Sequence, residues 1–268
     1  MGIAAEIADD WHAAFAALVW QVEAGADEVI ADAPVNRYDL TAEAHRSVAP
    51  PAERLSDPPS TVAQAAQSSD PVAAARAAAM AAATLEELRR AMTGFDRCEL
   101  KKGARNTVFA DGNPAARVLI LGEAPGADED REGRPFVGRA GQLLDRMFAA
   151  IGLSRTSPEP ETAFYITNVL PWRPPGNRDP EPAEIAMLLP FVERHVALVD
   201  PQVIVVVGNT PLFALTGAKG ILRARGTWGL ALGKPLLPMT HPAYLLRTPA
   251  AKREAWADLL SLQARLRS

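Results

Sequence analysis

The chain has 268 residues and a mass of 28.6 kDa, and 48% of its residues are hydrophobic, which suffices for one domain of ordinary size plus an extension. Its single Cys excludes a disulfide framework and suits a reducing compartment, and no apolar run approaches the roughly 20 residues needed to span a bilayer. The net charge of −4 conceals a split: residues 1–80 carry 4 basic and 12 acidic side chains, leaving 24 and 20 of the chain's 28 and 32 for residues 81–268, a background that permits nucleic-acid binding without requiring it.

Taken in chain order, residues 1–32 form a first segment. Trp11, Phe15, Leu18, Val19 and Val22 recur at helical spacing and predict an amphipathic helix over 4–32. The acids that precede its apolar stretch, and the lack of a basic region, do not read as a secretory leader. This helix is read as packing on the main domain in preference to docking a partner. Residues 33–72 are rich in Pro, Ala and Ser and read as a linker. The main domain is expected over 73–268. It opens on an Ala-rich helix, and Thr84 and Glu87 have capping-box spacing for a second helix. Apolar runs then alternate with helical patterns. Strands are expected at 117–121, 163–168, 203–207 and 236–240, and helices at 139–151, 180–198, 210–216 and 249–266. Strands apolar on both faces and separated by helices predict an α/β fold: a three-layer α/β/α sandwich with a mostly parallel four-stranded central sheet, plus the N-terminal helical extension.

Open parallel sheets bind ligands beyond the carboxyl ends of their strands. Those ends are Gly122–Glu123, Thr167–Asn168, Gly208–Asn209 and Thr240–His241, with Phe136 carried on the loop after the first strand. Singly, each is ordinary: Glu123 suits a surface or a cap, Asn168 a turn, His241 before Pro242 a local hydrogen bond, Phe136 the core. Their convergence on one rim points to a site. The loop after the first strand holds Asp128, Glu129, Asp130 and Glu132 and lacks both the G-x-x-x-x-G-K-[ST] and the G-x-G-x-x-G pattern, so it is no phosphate cradle. Consecutive acids do not match a calcium loop, and no His pair has zinc spacing.

The stretches GEAPGADEDREGRPFVGRAGQLL, YITNVLPWRPPGNRDP and HPAYLLR resemble the family 4 uracil-DNA glycosylases and their wider superfamily, over roughly residues 85–266. The resemblance implies a monofunctional DNA-repair hydrolase that flips a deaminated base, uracil first, out of DNA and cleaves its N-glycosidic bond to leave an abasic site. It implies that Phe136 stacks on the base and that Asn168 reads its edge, with Gly122 and Ala124 beside it. His241 would donate to O2 of the leaving base, and Glu123 would orient the attacking water and face a cationic sugar. Leu245 and Leu246 are candidates for a wedge, Arg247 for a phosphate contact, and Arg134, Arg139, Lys219, Arg223 and Arg225 for further contacts to the DNA backbone. The partner is then DNA containing uracil or another deaminated base, with no membrane, and a monomer in the bacterial cytosol, at the nucleoid, is expected. Two other readings stand beside it: a glycosylase for another deaminated base such as hypoxanthine, and a non-catalytic protein that binds lesions or abasic sites.

The sequence departs from the family at one point. Members carry a [4Fe–4S] cluster on four Cys, but here only Cys98 remains, while Phe95, Trp172 and about Leu188 stand at the other three positions. One thiolate cannot hold a cubane, so no cofactor and no metal are expected, with hydrophobic packing in the vacated place. The short segment RPPGNRDPEP also lacks the His that another branch of the superfamily uses to trap its product covalently.

Overall fold

Asp70 opens the part of the chain that the computed structural model describes, residues 70–267. The expected helix at 4–32, and the linker up to residue 69, lie outside the described residues. Asp70 caps α1 (Pro71–Ala81), its carboxylate accepting from Val72 N at 2.9 Å with Pro71 in the first turn. Thr84 caps α2 (Leu85–Thr93) by accepting from Glu87 N at 3.2 Å. The return half of the expected box is displaced by one residue, since Glu87 Oε2 accepts from Ala83 N at 2.6 Å rather than from Thr84 N.

After the short helix α3 (Leu100–Gly103) come β1 (Ala110–Gly112) and β2 (Val118–Gly122), then α4 (Ala127–Glu132), α5 (Arg139–Ala149) and β3 (Phe164–Asn168). The second half runs α6 (Pro182–Val199), β4 (Val203–Val207), α7 (Asn209–Thr216), α8 (Ile221–Ala224), β5 (Gly229–Ala231), β6 (Lys234–Met239), α9 (Pro242–Arg247) and α10 (Lys252–Arg267). β2 pairs in parallel with β3 and β4, and β4 in parallel with β6, which gives the four expected strands. The expectation of four strands in all needs correction. The sheet has six, in the order β1-β3-β2-β4-β6-β5, because three-residue strands pair antiparallel at each edge. Short antiparallel strands close off the edges of a sheet that would otherwise present unpaired backbone groups.

All residues of β2, β3 and β4 are buried, and alternate residues serve opposite faces. Leu119, Leu121, Ile204 and Val206 join Ala75, Leu88, Leu188 and Leu212 on the side of α1, α2, α6 and α7. Val118, Ile120, Val205 and Val207 join Leu144, Phe148, Leu259 and Leu262 on the side of α5 and α10. The result is the expected α/β/α sandwich. Parallel register brings the carboxyl ends level, with Gly122 opposite Asn168. No helix of the described residues is long and apolar enough to cross a membrane.

Candidate active site

A cavity of about 750 Å³ opens at the level carboxyl ends, and Glu123, Asn168, Thr240 and His241 line it together with Phe136 from the β2–α4–α5 connection. Glu123 follows β2 directly. Its Oε2 accepts from the hydroxyl of Thr210 at 2.5 Å, in the first turn of α7. Burial pushes the Glu123 carboxyl above its ordinary value, the Thr210 hydrogen bond opposes this, and the negative charge of Asp179 on the 173–180 loop adds to it. The site therefore holds a carboxylate that is desolvated, oriented, and more basic than a surface Glu.

Asn168 ends β3 with 5% of its surface exposed, and its Oδ1 has no hydrogen-bond partner among the described residues. A buried amide oxygen left unpaired is costly unless something else fills it. It lies against Gly122 and Phe136: a β-carbon on Gly122 would stand 2.3 Å from Asn168 Oδ1 and 2.4 Å from Phe136 Cε2. Gly122 is not among the residues that line the cavity. Its contribution is the absent side chain, which lets the amide and the ring share one wall.

Phe136 is 7% exposed and has φ 54°, the left-handed region that a β-carbon disfavours by about 1–3 kcal/mol. Its loop is stapled by two of the acids that the sequence left unassigned. Glu129 Oε1 accepts from Val137 N and Gly138 N, both at 2.9 Å, while its Oε2 accepts from Gly126 N at 3.1 Å. Asp130 Oδ1 accepts from Arg105 N and Asn106 N at 2.8 and 3.2 Å. These carboxylates turn inward to satisfy backbone donors.

His241 caps α9, and its Nδ1 accepts from Ala243 N at 3.1 Å. A nitrogen that accepts carries no proton, so the neutral ring bears its hydrogen on Nε2. Burial, reinforced by the nearby Arg247 charge and opposed by Glu129, lowers the His241 pKa to about 4. The ring is therefore a neutral donor at physiological pH, with its centroid 5.6 Å from that of Phe136.

Ala124 also lines the cavity, as do Tyr244, Arg247 and the 55%-exposed Leu222 toward its mouth. The remaining expected residues divide. Arg139, Lys219 and Arg223 are exposed. Arg134 pairs with Glu132 at 3.2 Å and lines a second, smaller cleft behind Phe136. Arg225 is engaged by Asp258 and by Glu254 O, which corrects its expected availability to DNA. Leu245 is 1% exposed and packs with Leu143, Ala251 and Ala255, so it is a core residue rather than a wedge. Leu246 is half-buried against the same cluster. Asn209 also lines the cavity, and its Oδ1 accepts from Gly220 N and Ile221 N, fixing the turn into α8. Thr210, Asp179 and Leu222 were missed by the sequence reading. Each lies off the strand ends that guided it.

A parallel sheet with a carboxylate, an amide, an imidazole and an aromatic ring on its carboxyl rim is the ligand-binding architecture of an open α/β protein. The family model described as the uracil DNA glycosylase superfamily matches residues 109–260, and the chain belongs to that superfamily. Within it, the chain is similar to the type-4 uracil-DNA glycosylase of Archaeoglobus fulgidus, 35% identical over 186 residues that cover 65% of this chain and 89% of the relative. The type-4 enzyme of Thermotoga maritima is 41% identical over 155 residues, 56% of this chain and 77% of its own. That of Sulfurisphaera tokodaii is 36% identical over 180 residues, 63% and 79%.

The residues present do not fit the [4Fe–4S] cluster that the family implies. Phe95, Trp172 and Leu188 are buried in the same apolar core as Cys98. Phe95 packs edge-on against Phe191 with centroids 5.5 Å apart, and Trp172 Nε1 donates to Thr107 Oγ1 at 3.1 Å. Burial also pushes the Cys98 thiol up, away from the thiolate a metal requires. Among the described residues no group of three or more His, Cys, Asp or Glu is placed to hold a metal ion.

Proposed function

We propose that the protein is a hydrolytic uracil-DNA glycosylase that accepts a flipped deoxyuridine in the rim cavity. The observation that carries this reading is the buried, unpartnered Oδ1 of Asn168 beside Phe136. Uracil N3–H is the donor that this oxygen lacks, and the amide nitrogen would donate to O4. Cytosine presents an acceptor at N3 and would leave the oxygen unpaired, a mismatch that polar sites reject strongly. The ring of Phe136 would stack on the base.

Bond cleavage follows from the two groups across the cavity. As the C1′–N1 bond breaks, negative charge moves onto the base and is met at O2 by Nε2–H of neutral His241. Positive charge develops on the sugar and is met by the Glu123 carboxylate. Water held by that carboxylate adds its oxygen to C1′, and its proton passes to Glu123, whose raised basicity suits it to accept it. Of the cations expected to contact DNA, Arg139, Lys219, Arg223 and Arg247 are exposed and would meet phosphates.

The test is alkaline cleavage of a labelled oligonucleotide containing one uracil, single-stranded and paired with G or A, with enzyme in excess. Strand scission at the uracil is expected in all three substrates. Absence of scission would overturn the uracil reading, and hypoxanthine substrates would then come first. On the cofactor, we propose that the active protein holds no cluster. Iron and acid-labile sulfide in protein purified without oxygen should stay far below four atoms of each per chain. Near-stoichiometric iron with full activity dependent on it would refute this.

A further inference from the structure

The positive φ of Phe136 needs an external restraint, and the structure supplies one outside the cavity. Arg155, in the turn after α5, has a side chain only 9% exposed. Its Nη2 donates to Phe136 O at 3.0 Å and its Nη1 to Pro135 O at 2.9 Å. Nη1 also donates to Asp111 Oδ2 of β1 at 3.1 Å, and Nε to Asp145 Oδ1 of α5 at 2.8 Å. Two carboxylates thus fix the plane of the guanidinium and balance its charge, leaving N–H groups for two consecutive carbonyls. Extended backbone turns successive residues to opposite sides; here both carbonyls meet one cation. On α5, Gly141 backs the loop so closely that a β-carbon there would stand 1.8 Å from Phe136 O. The Phe136 carbonyl is therefore held between Arg155 and bare helix backbone, and with it the direction of the ring.

We infer that Arg155 is a positioning residue for the base-stacking ring, acting through the Phe136 carbonyl without touching the base. The inference rests on the proposed role of Phe136 as the stacking platform. A Lys in its place keeps the charge but concentrates it on one nitrogen, which cannot serve two carboxylates and two carbonyls in a fixed plane. With the clamp gone, the loop relaxes toward unstrained backbone and the ring leaves the wall it shares with Asn168.

The experiment is a double-mutant cycle of Arg155→Lys and Phe136→Ala, read as single-turnover uracil release, with DNA affinity and melting temperature followed in parallel. Phe136→Ala should slow release about 10- to 100-fold, the worth of one stacked base. Arg155→Lys should slow it about tenfold, as displacement of a substrate-positioning group does, with DNA affinity within about twofold. The double variant should be no slower than Phe136→Ala, because Arg155 acts only through the ring. Additive losses, or a lowered melting temperature with an unchanged rate, would show a general staple and overturn the inference. If Phe136→Ala itself leaves the rate unchanged, the platform reading fails, a different result from additivity. Should Arg155→Lys fail to fold, Asp145→Ala, whose side chain is 45% exposed, enters the same cycle. It should slow release about threefold and be silent in the Phe136→Ala background; additivity there counts against the inference equally.

Discussion

Glu123→Gln is expected to slow uracil release by about 10²- to 10⁴-fold, the contribution of a positioned general base, while DNA affinity stays near that of the parent protein. Gln keeps the shape and can still receive the Thr210 hydroxyl, but it offers neither charge to a cationic sugar nor basicity to water. The parent's rate should rise with pH along a limb set by the Glu123 carboxyl. Burial raises that carboxyl, so the limb should lie above the ordinary Glu value of about 4.3, and it should vanish in Glu123→Gln. The same variant should melt no lower than the parent at neutral pH. A carboxyl with a raised pKa is one whose charged form the fold disfavours, and the amide removes that penalty. Single-turnover rates across the acid-to-neutral range, with melting curves alongside, check all three outcomes. Parent-like rates in Glu123→Gln would remove this carboxylate from the chemistry.

His241→Asn should lower the rate about 10²- to 10³-fold, as loss of one donor to a developing anion does. The pH profile should move downward as a whole without shifting its acid limb. Burial holds His241 at about 4, well below the ordinary imidazole value, so the ring is neutral through the neutral range. A rate that falls as pH rises, with the fall lost in His241→Asn, would mean that the imidazolium, not the neutral ring, is the working form. Stability carries the same signature. His241 and the fully buried His195, lowered to about 3 by desolvation, are both neutral in the fold above the unfolded value of about 6.5. Their contribution is therefore complete at neutral pH and is lost as pH falls from there toward the folded values, where the unfolded chain takes up protons first.

What was legible in the sequence follows the range of the forces involved. β2, β3, β4 and β6 announce themselves because strands buried on both faces must be apolar throughout. β1 and β5 do not, since Ala-Asp-Gly and Gly-Leu-Ala carry no such pattern and pair only because an edge is there to receive them. The rim residues Glu123, Asn168 and His241 could be found because each lies at a strand end or within two positions of it. Asn209, equally placed by that rule, lines the cavity but spends its Oδ1 on a neighbouring turn, and Leu245, on a six-residue helix, turned into the core. Which face such a residue shows is settled by packing rather than by spacing. Arg155 was invisible for a related reason: a lone arginine in a loop looks solvated until Asp111, Asp145 and two carbonyls, far apart in the chain, close around it.

The apolar joint formed by Phe95, Cys98, Trp172 and Leu188 also changes what the protein needs from its cell. A domain joined there by hydrocarbon contacts depends on water being expelled, which any newly made chain can do unaided. With no cluster, as proposed, it has no call on a scarce transition metal, on the machinery that assembles sulfide clusters, or on shelter from oxygen while the joint forms. Oxidants dismantle exposed clusters, so a repair protein built on this proposed joint would remain in service where a cluster-bearing one is lost.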